Sequence, residues 1–106
     1  MTPAKSRTAD SALSRLRRQI EGTDDALLGL IAQRVRLARE IGQHKHRARM
    51  PVLDPAREAR VVRRIATQAR ELGLPGEEIR SIFWSIIALC RSEQIAPISA
   101  ARTAGR

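Results

Sequence analysis

The chain has one cysteine, two aromatic residues and no tyrosine in 106 residues. A lone Cys90 excludes an intrachain disulfide and suits a reducing compartment, so a cytoplasmic protein is expected. Phe83 and Trp84 are the only aromatics, which leaves no ladder of rings on which unpaired bases could stack. Long apolar runs are missing as well. None approaches the ~20 residues of a membrane span, so a soluble protein with no membrane partner is expected. The N-terminal MTPAKSRTADSALSRL lacks the apolar stretch of roughly 7–15 residues that marks a secretory signal. There is no Gly-rich phosphate loop, no GxSxG and no plausible nucleophile–base pair. His44 and His46 flank Lys45 at a spacing that a helix sends to different faces, so no metal site is expected. An enzyme built from this chain has to work by positioning and electrostatics.

What remains is charge and helical periodicity. The net charge is +9, and all of the 20 basic residues but Lys5 and Lys45 are Arg. Such a charge permits contact with nucleic acid or an acidic surface and equally serves solubility. The length sets one domain with a modest core, a size at which self-association is a common remedy. No period of roughly 20–50 residues repeats, which argues against a solenoid.

Apolar residues recur at spacings that keep to one face of a helix, from Leu13 through Leu16, Ile20, Leu27, Leu30, Ile31, Leu37, Ala38 and Ile41. The pattern predicts a helix from an N-cap at Ser11 to about Gln43, roughly 50 Å long at ~1.5 Å per residue. Its stripe is too long to be covered by two short helices, which argues for a second copy alongside. Residues 46–53 read as a loop, with Pro51 forcing extended geometry before it. Asp54-Pro55 then supplies an N-cap and a first-turn proline for a second helix carrying Val61, Val62, Ile65 and Ala69, which Leu72-Gly73 ends. Pro75 with Glu77 and Glu78 opens a third, with Ile79, Ile82, Phe83, Ile86, Ile87 and Cys90 on its buried face and Pro97 as its end. The prediction is an all-α chain of one long and two shorter helices over residues 11–96, with disordered tails at 1–10 and 97–106.

Several polar residues interrupt these faces. Arg34 continues the seam of Leu27, Leu30 and Ile41, where an apolar residue is due. It must pair internally, snorkel to solvent or await an anionic ligand. Lys45 lies eleven residues on, within ~20° of the same face and about 16 Å along it, so both cations could lean toward one anion. Solvation at the helix end is its ordinary reading. Arg17 is ~25 Å before Arg34 and turned by about 100°, so one helix cannot bring both to one small ligand. It is either a surface residue or a contributor from a partner subunit. Gln94 falls on the face of Phe83 and Cys90, where a buried amide needs partners. Asp54, Arg57 and Glu58 crowd the first turn of the second helix, where capping explains Asp54 and solvent suffices for the other two.

Taken together, LRRQIEGTDDALLGLIAQR (16–34), IGQHK (41–45), PVLDPARE (51–58) and IRSIFWSII…C…Q (79–94) closely resemble the all-helical, AroQ-class chorismate mutases. The resemblance spans residues 13 to 94. It implies an intertwined all-helical homodimer whose two sites each borrow from both long helices. It also implies a cofactor-free Claisen rearrangement of chorismate to prephenate, on the way to phenylalanine and tyrosine. Carried over by position, Arg34 and Arg17 from the partner would bind the two carboxylates, for which the Arg fork is suited. Lys45 would bridge a carboxylate and the ether oxygen, and Gln94 would donate to the same oxygen. Glu58 and the Asp54 backbone would take the ring hydroxyl, with Arg57 orienting that turn. Cys90 replaces a serine of some members, and its thiol is a poor donor. Sister activities on the same fold are isochorismate pyruvate lyase and 4-amino-4-deoxychorismate mutase. The turn at 54–58 resembles the ordinary mutases, while Cys90-Arg91 resembles the amino-substrate group. Some short members also dock with another shikimate-pathway enzyme. From a different class, a basic helical module that binds nucleic acid or protein without catalysis is the remaining alternative.

Overall fold

The computed structural model of the chain describes the backbone of residues 3–104 and the side chains of residues 8–95. Three helices account for its regular structure, α1 (Pro3–Arg47), α2 (Pro55–Glu71) and α3 (Gly76–Ala104). Among the described residues none is long and apolar enough to cross a membrane. The chain divides into two compact units, Met1–Ala32 and Gln33–Arg106, and the boundary falls within α1.

The first unit consists of α1 alone. Leu13, Leu16, Ile20, Leu27 and Leu30 recur along it at helical spacing, yet all are exposed, Ile20 at 60% and Leu30 at 63%. An apolar stripe left in water is a face without its partner element.

The second unit packs the end of α1 with α2 and α3 around Ala38, Val62, Ala66, Ala69, Ile87 and Cys90. Burying Val62 or Ile87 contributes about 1.5–3 kcal/mol each. Most of the other core positions are small, which brings the helix backbones close together. Gly42 marks the tightest approach: a Cβ there would lie 2.8 Å from the Gln94 Cα and collide with the Gln94 carbonyl oxygen. Beside this contact the exposed Arg39 Nε donates to Glu93 Oε2 at 2.9 Å, an ion pair worth at most about 1 kcal/mol.

Helix ends follow local chemistry. The last turn of α1 carries His44, Lys45, His46 and Arg47, basic residues beside exposed carbonyls. Beyond it Arg49 adopts φ 56°. Met50 N–H donates to Lys45 O at 2.8 Å and Arg49 N–H to His46 O at 3.2 Å, the paired bonds of a Schellman cap. α2 begins at Pro55, with the Asp54 side chain accepting from Arg57 N–H at 3.1 Å. It ends in the same kind of cap, with Gly73 at φ 74° and Leu74 N–H bonded to Ala69 O at 2.8 Å.

Four boundary or burial expectations are corrected. α1 starts at Pro3 rather than after a cap at Ser11, because Ala, Lys and Arg sustain a helix that has no apolar stripe to announce it. It also runs four residues past Gln43. α3 continues through Pro97 to Ala104. Proline withholds one N–H from the Glu93 carbonyl, but its φ is helical and the flanking alanines favour the helix. Ile82 is 53% exposed instead of buried, turned about 140° around α3 from Ile87 at ~100° per residue. The side chains of 1–7 and 96–106, most of the expected tails, lie outside the described residues.

Candidate functional site

The second unit contains a cavity of about 540 Å³ between the end of α1, the start of α2 and the second half of α3. Its floor is apolar, from Leu37, Ala38, Ile41, Val61, Ile87 and Cys90, and its polar lining is strongly cationic. Arg34 and Lys45 enter from α1, Arg57 and Arg64 from α2, and Gln94 from α3; Asp54 and Glu58 are the only acids on the wall. Four cations against two carboxylates leave positive charge unmatched, and one of those carboxylates is already engaged. A cavity of this kind suits a small molecule bearing two negative charges.

Lys45 is half-buried and held from two sides. Its Nζ donates to Val52 O at 2.9 Å and to Gln94 Oε1 at 3.1 Å. The first bond exists because the cap at Arg49 turns the chain back over the last turn of α1. The second sets the Gln94 amide, since facing its NH₂ to an ammonium would set donor against donor. Gln94 Oε1 thereby accepts from Lys45, and the Gln94 amide keeps two N–H donors on a residue that lines the cavity. Lys45 keeps one N–H of its own.

Arg34 is half-buried on the wall and has no ion pair among the described residues. Glu58 is 16% exposed and bound at both oxygens, with Arg91 Nε on Oε2 at 2.9 Å and Arg91 Nη2 on Oε1 at 2.6 Å. The Arg91 hydrogen bonds hold the Glu58 carboxyl below the usual carboxylate range, against the upward effect of partial burial; Arg91's charge and, more weakly, Lys45 pull it the same way, and Asp54 opposes them. Cys90 is buried at 3% with its place on the cavity floor.

Seven of the eight residues singled out from the sequence therefore meet at one cavity: Arg34, Lys45, Asp54, Arg57, Glu58, Cys90 and Gln94. Arg17 belongs to the first unit, where it is exposed on α1. Sequence reasoning missed Arg64 and Val61. Both follow from helical spacing, because Val61 and Arg64 lie one and two turns beyond Arg57 on the same face of α2. It also missed the Arg91–Glu58 pair, for which nothing in the spacing within one helix is a signal. Among the described residues no group of three or more His, Cys, Asp or Glu is placed to hold a metal ion.

Fold and site define an all-helical protein with a cation-lined pocket. Residues 16–95 match the family model described as chorismate mutase type II, and the chain belongs to that family. It is 39% identical over 70 residues to the T-protein of Enterobacter agglomerans, covering 66% of this chain and 19% of that protein. It is 32% identical over 83 residues to the bifunctional chorismate mutase/prephenate dehydratase of Aquifex aeolicus, covering 76% and 23%. The chain thus spans about a fifth of the length of these two relatives. The 4-amino-4-deoxychorismate mutase of Streptomyces venezuelae is matched nearly end to end, at 30% identity over 89 residues, 83% of this chain and 86% of that one.

Proposed function

We propose that this chain is a chorismate mutase that converts chorismate to prephenate as a homodimer. The observation that carries the reading is the Lys45–Gln94 pair on the wall of a cavity with unmatched positive charge. The rearrangement breaks one ether C–O bond and forms one C–C bond within a single molecule. No proton, electron or leaving group is exchanged, so neither a nucleophile nor a cofactor is required. The work consists of folding the enolpyruvyl chain over the ring and stabilising charge at the ether oxygen as that bond breaks.

Arg34 binds one substrate carboxylate, and the partner subunit's Arg17 binds the other. Lys45 spends its remaining N–H on the ether oxygen and an adjacent carboxylate, and the Gln94 amide donates to the same oxygen. The Glu58 carboxylate accepts the hydrogen of the ring hydroxyl and the Asp54 backbone N–H donates to its oxygen, Arg57 steadies that turn, and Cys90 packs as a small apolar group. The exposed stripe of Leu13, Leu16, Ile20, Leu27 and Leu30 supports the dimer, because a second copy of α1 carries the matching face.

The end-to-end match to a 4-amino-4-deoxychorismate mutase favours one second reading, in which an amine replaces the ring hydroxyl. Incubating the purified protein with chorismate, isochorismate and 4-amino-4-deoxychorismate separates the readings. Prephenate from chorismate is expected as the main product. Turnover of the amino substrate alone, or release of pyruvate from isochorismate alone, reassigns the protein.

A further inference from the structure

Arg91 is the residue of α3 that the reaction described above leaves without a task. It does not line the cavity, yet it holds both oxygens of Glu58, which does. We propose that Arg91 is a positioning residue, fixing the Glu58 carboxylate in the cavity wall as the acceptor for the substrate's ring hydroxyl. The inference rests on reading the cavity as a chorismate site.

Three features of the contact carry it. The planar fork meets both carboxylate oxygens, so the pair fixes the orientation of the carboxylate as well as its place. A free glutamate would otherwise sample several rotamers on the rim of an open cavity. The contact also ties the first turn of α2 to α3 at the level of Cys90 and Gln94, so the hydroxyl acceptor and the ether-oxygen donor share one rigid frame. Finally, an ionised Glu58 has only acceptors to offer, and Arg91 occupies one side of each oxygen. The unused lone pairs are left for a donor on the substrate.

The charged groups around Glu58 are Arg91 from α3, Lys45 from α1, and Asp54 and Arg57 from its own turn; Arg34 and Arg64 stand farther along the same wall. With Arg91 present the carboxylate stays ionised well below neutrality. Without it, burial and Asp54 push the carboxyl upward, opposed only by the weaker pull of Lys45. A hydroxyl contact that is equal in the ground and transition states affects KM and leaves kcat alone.

The test compares wild type, Arg91→Met and Arg91→Lys by steady-state kinetics on chorismate from pH 5 to 8. In parallel, the Glu58 carboxyl is titrated by carbon NMR in the free protein. Arg91→Met is expected to raise KM about tenfold with kcat within about twofold. Its KM should climb further as the pH falls toward 5, where wild type stays flat. Its Glu58 resonance should titrate at higher pH than in wild type. Arg91→Lys keeps a charge but not the fork, so it should restore the flat pH profile and only part of the KM. A variant that loses thermal stability but keeps wild-type KM, pH profile and Glu58 titration overturns the proposal, because Arg91 is then a structural tie alone. If Arg91→Met does not fold, an Arg91→Lys variant with a KM and Glu58 titration identical to wild type overturns it equally. The NMR titration is read without substrate. A wild type that ignores chorismate therefore contradicts the reading of the cavity without being confused with a failure of the clamp.

Discussion

α1 crosses two regions that treat its inner face in opposite ways. From Leu13 to Leu30 the face is built from leucine and isoleucine, and every one of those side chains is exposed. From Gln33 onward it carries Arg34, Leu37, Ala38, Ile41, Gly42 and Lys45, and here Ala38 and Gly42 are buried while Leu37 and Ile41 stay about half exposed at the cavity. In the first stretch no large apolar residue is covered by this chain, whereas in the second the positions that α2 and α3 bury are small and the larger Leu37 and Ile41 face the cavity. The contrast follows from surface chemistry. Bulky apolar side chains are stable only when something removes them from water, while small residues let backbones meet and leave room for polar groups to line a cavity. On the proposed function, the first region is the surface that a second copy would cover and the second is the site of the chemistry.

Placing a charge in the first region tests that division most severely. Leu30→Asp is expected to dissociate the dimer, because an unpaired carboxylate in an apolar interface costs several kcal/mol. Light scattering should show a monomer and activity should vanish. A dimeric, active Leu30→Asp protein would show that the leucine face is not the interface. In the second region, Lys45→Ala removes the group bonded to the Gln94 amide and, on the proposed function, the charge at the ether oxygen. A fall of roughly 10²–10³ in kcat is expected, or about 3–4 kcal/mol, in a protein that is still dimeric.

Gln94→Glu sharpens the comparison through pH. The wild-type amide introduces no ionisation near neutrality. A carboxyl in its place donates only when protonated, so the rate should rise toward acid pH; a flat profile from pH 5 to 8 at wild-type rate would remove Gln94 from the ether oxygen. The smallest effect is expected at Gly42. An added methyl must push against the Gln94 backbone, so Gly42→Ala should cost about 1–3 kcal/mol of stability in thermal denaturation. It should also lower kcat by displacing the amide. The same change at Gly29, in the middle of α1 with nothing within 4 Å, should instead stabilise the helix by up to about 1 kcal/mol.

Much of the second region was legible in the sequence. Asp54-Pro55 and Gly73 delimit α2 by chemistry that acts within a few residues, and the structure places both ends where those signals put them. Lys45 and Arg34 share a face by helical arithmetic alone, and the cavity collects them. The ends of α1 and α3 escaped because polar, alanine-rich flanks extend a helix without the apolar rhythm that reveals one. The cap at Arg49 escaped for a related reason. A left-handed residue there is ordinarily glycine, and arginine gives no sign of it. The pairing of Arg91 with Glu58 depends on the register between α2 and α3, which the side chains in the packed core decide. Arg17 was legible only as a negative: one helix cannot carry it and Arg34 to the same small ligand.

That last point leads to the most direct measurement, in which Arg17→Ala and Arg34→Ala proteins are prepared separately and then mixed. Each alone should be inactive, since every site in either homodimer lacks one carboxylate anchor. After subunit exchange, half the dimers are mixed, and each has one site lacking both arginines and one lacking neither, so about a quarter of wild-type chorismate mutase activity should return. No recovery after exchange has been demonstrated by mass-labelled subunits would contradict the account. The site would then lie within one chain, and the exposed helix face would serve something else.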